Sequence, residues 1–130
     1  MTQPQVTILA AGMGTRLGRP FPKPLTLLED GRTILAQQLE NIYEAYGADT
    51  KVQIVVGFKL DLILEAAPDV AFVYNERYDQ TNTNRSLLKA LRTSSAGPVV
   101  WMNGDVVFDP AILRRIQANI DADQTVIAVN

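Results

Sequence analysis

Apolar positions fall along this chain in two rhythms. Short runs rich in β-branched side chains occur at Val6 to Ala10, Val52 to Val56, Val70 to Tyr74, Val99 to Met102 and Thr125 to Val129, and predict five buried strands. Between them the spacing turns helical. Ile34, Leu35, Leu39, Ile42, Tyr43 and Tyr46 share one helical face after Thr33, with Gly47 as the stop. Leu60 to Ala66 predicts a short helix cut off by Pro68, and Thr83 to Leu91 another with an Asn or Thr cap. Asp109-Pro110, an N-cap followed by proline at the first helical position, starts a helix running to Ile120. Alternating strands and helices predict an α/β fold, a three-layer αβα arrangement of Rossmann-like type with a mostly parallel sheet. No repeat, low-complexity tract or linker divides residues 1–130, which read as one nucleotide-binding domain.

Composition narrows the chemistry. The 130 residues hold neither cysteine nor histidine, which excludes Ser-His-Asp or Cys-His nucleophiles, thiol redox pairs and zinc sites built on Cys and His. Any catalysis must run on carboxylates, Arg, Lys, hydroxyls, backbone amides or a hard metal. A net charge of −2, with the signs mixed along the chain, offers no basic field for nucleic acid. No apolar run approaches the roughly 18 to 20 residues of a membrane span, and Met1 to Gln5 lacks a basic leader, so a cytoplasmic location is the expectation.

The richest segment is Leu9-Ala10-Ala11-Gly12-Met13-Gly14-Thr15-Arg16-Leu17-Gly18, followed by Pro22-Lys23-Pro24-Leu25. In an open α/β sheet ligands bind beyond the carboxyl ends of the strands, where this loop falls if Val6 to Ala10 is the first strand. Glycines there let backbone N–H groups approach phosphate oxygens. A dinucleotide fingerprint would need glycine where Leu17 stands, and the Gly-Lys-Ser/Thr ending of a Walker A loop occurs nowhere. Two cations follow instead. Arg16 can fork two phosphate oxygens, and Lys23 supplies a compact charge on a stretch stiffened by Pro22 and Pro24.

On these residues the chain resembles the NTP transferase (nucleotidyltransferase) family, whose signature is an A-A-G-x-G-x-R loop followed by P-K. The short gap from Arg16 to Lys23 is most similar to the cytidylyltransferase branches, including the phosphocholine cytidylyltransferase-like one. The resemblance implies that the amides of Gly12, Met13, Gly14 and Thr15 hold a triphosphate and that Ala10 and Ala11 line the nucleoside pocket. It gives Arg16 the β and γ phosphates, and Lys23 the α phosphate as it becomes five-coordinate.

Val99 to Asp105 ends in Asn103-Gly104-Asp105, placing a carboxylate just past a strand on the same edge of the sheet. Mg²⁺ takes oxygen ligands from one or two carboxylates plus substrate phosphates, and the resemblance makes Asp105 its ligand. A turn residue satisfying local amides is the plain alternative. Asp109 is accounted for as a helix cap. Asn75 and Thr81 to Ser86 concentrate short polar side chains; Asn82, Asn84 and Ser86 either lie beside the nucleotide, as in the resembling branch, or cap the helix that follows.

The expected activity is therefore Mg²⁺-dependent transfer of a nucleotidyl group, CMP from CTP, onto a phosphorylated small-molecule acceptor with release of pyrophosphate. Members of the family are commonly longer, so this chain is expected to be the N-terminal part of a catalytic domain, extended beyond its C-terminus or completed by self-association. A catalytically incomplete nucleotide-binding domain is the alternative. A glycosyltransferase-like domain is weaker, because Asp121-Ala122-Asp123 precedes the last expected strand and reads as a turn.

Overall fold

The computed structural model describes residues 3–11, 22–57, 59–75, 87–88, 90–92, 94 and 96–128. Four strands, β1 (Gln5–Ala10), β2 (Val52–Val56), β3 (Ala71–Tyr74) and β4 (Val99–Asn103), form a sheet of order β3-β2-β1-β4. Every pairing is parallel, with Val6 opposite both Val52 and Val100. Such a sheet needs crossovers, supplied by α1 (Ile34–Tyr46) between β1 and β2 and by α2 (Leu60–Ala66) between β2 and β3. Helical residues at 87–88 and 90–92 precede β4. Two short helices, α3 (Ala111–Arg115) and α4 (Gln117–Asp121), follow it.

The strand order explains the layers. A right-handed crossover puts its helix on a face that depends on the direction of travel across the sheet. From β1 to β3 the chain moves one way, then it returns past β1 to β4. Accordingly Val6, Ile8, Ala10, Val52, Ile54 and Val56 pack against Leu35 and Ile42 of α1, Ile63 of α2 and Leu113 of α3. Leu9, Ala11 and Val55, alternating with them along the strands, pack against Leu87 and Ala90 on the opposite face. This is the three-layer αβα arrangement.

Thr33 Oγ1 accepts from Ala36 N at 3.0 Å to open α1, and Gly47 closes it at φ 106°, where a side chain would be strained. Asp109 caps α3 as expected, its Oδ1 accepting from Ala111 N at 2.8 Å. Two expectations are corrected. Residues 124–128 form no strand and are exposed, Ile127 by 79%, because no neighbouring strand among the described residues takes up their backbone groups. The single helix expected to Ile120 is two, broken at Ile116, where ψ is −8°.

Candidate active site

Where β1 and β4 lie side by side the chain's direction of travel reverses, so their carboxyl ends open a crevice, the usual ligand position in such sheets. One lip is Ala10-Ala11. Both side chains are buried, Ala10 on the α1 face and Ala11 on the other, so the strand reaches the crevice with little bulk. The other lip is Asn103-Gly104-Asp105. Gly104 N donates to Leu9 O at 2.9 Å, bringing the end of β4 hard against β1. A Cβ on Gly104 would stand 2.9 Å from Pro24 Cγ and 3.2 Å from Leu9 O, so this position has no room for a side chain.

Pro24 belongs to a 3₁₀ turn over Lys23–Leu25, closed by Leu25 N donating to Pro22 O and Thr26 N to Lys23 O, each at 3.0 Å. Pro22 and Pro24 are buried on either side of half-buried Lys23. The turn is in turn tied to α1, whose first amide, Ile34 N, donates to Thr26 O at 3.1 Å. So anchored, Lys23 Nζ lies 3.7 Å from Asp105 Oδ2, with the two side chains 27% and 42% exposed. The structure thus brings together the lysine of one segment and the aspartate of the other, at the crevice.

Sequence reasoning missed what supports this lip. Gln38 and Asn41 interrupt the apolar stripe of α1, yet both are buried. Gln38 Nε2 donates to Asn103 O at 2.9 Å and to Val106 O at 2.8 Å; Asn41 Nδ2 donates to Phe108 O at 3.1 Å. Further along the helix Tyr46 OH donates to Leu113 O at 3.0 Å, and burial pushes its phenol up to about 12. Helix α1 therefore holds the segment after β4 by its backbone carbonyls. The available signal was the polar residues at core positions of an amphipathic helix, which ask for buried partners.

Gly12, Met13, Gly14, Thr15, Arg16, Asn82, Asn84 and Ser86 lie outside the described residues. Asn75, at the end of β3, is buried, and its N–H donates to Val56 O at 2.8 Å. Asp121 closes α4 and Asp123 follows it, and Gln117 Nε2 donates to Asp121 Oδ1 at 2.8 Å. Among the described residues no three His, Cys, Asp or Glu side chains are grouped to hold a metal, and no helix is long and apolar enough to cross a membrane.

Comparison with known proteins agrees with this fold. Residues 6–130 match the family described as the MobA-like NTP transferase domain. A CMP-5'-(3-aminopropyl)phosphonate synthase of Streptomyces rubellomurinus is 37% identical over 127 residues, 91% of this chain and 20% of that protein. Among solved structures, a nucleotidyl transferase from Methanothermobacter superposes with a TM-score of 0.74 at 27% identity, over 91% of this chain and 58% of that one. The CTP:phosphocholine cytidylyltransferase of Streptococcus pneumoniae gives 0.64 at 25% identity, over 80% and 46%. Rv0371c of Mycobacterium tuberculosis, solved in complex with manganese, gives 0.68 at 30% identity, over 93% and 61%. The chain spans a fifth of the curated relative and roughly half to three-fifths of the solved chains.

Proposed function

This chain belongs to the MobA-like NTP transferase family, and on that premise we propose that it carries the nucleotide site of a Mg²⁺-dependent cytidylyltransferase, moving CMP from CTP to a phosphorylated acceptor and releasing pyrophosphate. The observation that carries this reading is Lys23 facing Asp105 at 3.7 Å in the crevice between β1 and β4. A transferred phosphoryl group needs a cation where negative charge gathers and an anion to hold a metal, and both stand at one place.

The acceptor phosphate is already ionised, so no strong base is required. Positioning and charge neutralisation are what remain. Lys23, fixed by its buried prolines, neutralises the α phosphate; Arg16 takes the β and γ phosphates; the amides of Gly12, Met13, Gly14 and Thr15 cradle the triphosphate. Ala10 and Ala11 line the nucleoside pocket, and Asn82, Asn84 and Ser86 lie beside it. A single exposed carboxylate fits a hard cation that takes its other ligands from substrate phosphates and water, so Asp105 would hold Mg²⁺. When bound, that ion supplies charge stabilisation on the phosphates. The name of the Streptomyces relative, a CMP-phosphonate synthase, and the cytidylyltransferase neighbour support CTP; the manganese complex of the Mycobacterium neighbour supports a divalent metal.

A second reading, a nucleotide-binding part that needs further chain or a partner for turnover, is favoured because no three carboxylates are grouped to hold a metal among the described residues. One experiment separates the two. CTP, UTP, ATP and GTP are compared with Mg²⁺ by thermal shift, then assayed for pyrophosphate release with phosphocholine and sugar phosphates. Stabilisation by CTP with release supports the first reading, and stabilisation without release the second. No stabilisation by any nucleotide defeats both.

A further inference from the structure

We propose that Gln38 is a positioning residue for Asp105, setting the direction of its carboxylate from the core side of the sheet. The inference rests on Asp105 as the metal-holding residue. Asn103 to Val106 form a β-turn, closed by Val106 N donating to Asn103 O at 3.3 Å, with Gly104 and Asp105 at its two central positions. The two protons of the Gln38 side-chain nitrogen go to the carbonyls at its two ends, at 2.9 and 2.8 Å. One planar amide thus fixes the separation of those carbonyls, and Gly104 N, bonded to Leu9 O, fixes the middle of the turn against β1. All three anchors act on backbone. None occupies the Asp105 carboxylate, which is left to face Lys23 and the crevice.

The choice of residue supports a geometric role. Only a nitrogen with two protons can serve both carbonyls at once, and the two acceptors dictate which way the amide is turned. Gln38 is fully buried, and its Oε1 has no hydrogen-bond partner among the described residues. A core position that leaves an acceptor unused is a poor choice for stability alone. The return is a turn held rigidly behind its one exposed carboxylate. Asn41 ties the same segment at Phe108 O, beyond the turn, and serves as the internal control.

The test compares Gln38→Met, Asn41→Leu and Asp105→Asn with the parent chain. Equilibrium Mn²⁺ binding in the presence of CTP is read from the resonance signal of free Mn²⁺, and stability from thermal unfolding. Gln38→Met, close in volume but without donors, is expected to weaken Mn²⁺ binding by about tenfold or more, as loss of a group supporting a metal ligand does. Asn41→Leu is expected to lower the melting temperature comparably while leaving Mn²⁺ affinity within about twofold. Equal effects of the two variants on Mn²⁺ affinity, or no effect of Gln38→Met where Asp105→Asn abolishes binding, would overturn the proposal. If Asp105→Asn itself leaves binding unchanged, it is the metal reading that fails, and this inference falls with it. Should Gln38→Met not fold, Gln38→Asn, which keeps the amide but withdraws it by one methylene, is judged by the same criteria.

Discussion

Lys23 Nζ and Asp105 Oδ2 stand 3.7 Å apart at the open end of the sheet, held there by separate scaffolds. The lysine rides on a proline-flanked turn tied to the start of α1, and the aspartate on a turn clamped between β1 and Gln38. An ion pair this exposed adds about 0 to 1 kcal/mol to stability, so either charge is available to a ligand at little cost. That combination of rigid backbone and weakly committed side chains is what a site for a charged nucleotide requires.

If Lys23 serves the proposed transfer, replacing it by Ala is expected to lower turnover by about 100-fold or more through loss of charge neutralisation at the reacting phosphate. Stability should change by less than about 1 kcal/mol. Pyrophosphate release and calorimetry on the same preparation decide the matter. Parallel losses of activity and stability would argue for a structural lysine.

Asp105→Asn preserves shape and removes the charge. Calorimetric titration of CTP should then show affinity that no longer rises with added Mg²⁺, while the unfolding midpoint stays close to that of the parent. Retained metal-linked affinity would remove Asp105 from the metal site.

At Gly104 the expected effect is steric. Gly104→Ala puts a methyl carbon 2.9 Å from Pro24 Cγ, a clash expected to cost about 1–3 kcal/mol and to push the Lys23 turn away from Asp105. Adding Pro24→Ala removes the struck atom and should recover part of the stability. A double variant no more stable than Gly104→Ala would show that the contact with Leu9 O, and not Pro24, governs the position.

Tyr46 provides a pH signature of the α1 anchor. Its phenol titrates near 10 in the unfolded chain and about 12 when buried, so between these values the folded state keeps a proton that the unfolded state has lost. Stability is therefore unaffected by this group below pH 10 and falls as pH rises from about 10 to 12, by on the order of 2 kcal/mol. Tyr46→Phe should be less stable at neutral pH, because Leu113 O loses its donor, and should show a shallower alkaline decline. Denaturant unfolding of both proteins at pH 8 and pH 11 measures the difference; identical alkaline slopes would count against the buried phenol.

How much of this was legible in the sequence follows from the range of each interaction. Four of the five strands, helices α1 and α2, the Gly47 stop and the Asp109 cap depend on local periodicity and capping chemistry, which a linear reading contains. The glycine loop with Arg16 and Lys23, and Gly-Asp after a strand, identified the family for the same reason. Local pattern also misled: Thr125 to Val129 has the composition of a strand, but a strand exists only with a neighbour to take its hydrogen bonds, and residues 124–128 have none among those described. Gln38 and Asn41 were illegible because a polar residue on an apolar stripe gains its meaning from an acceptor about 65 residues away in the chain, a separation of 65 for Gln38 and 67 for Asn41. By itself, then, the sequence determined the elements and the chemical groups. Only the tertiary structure, through the return of β4 to the far side of β1 and the close approach permitted by Gly104, decided that Lys23 and Asp105 meet and that Gln38 supports the turn behind them.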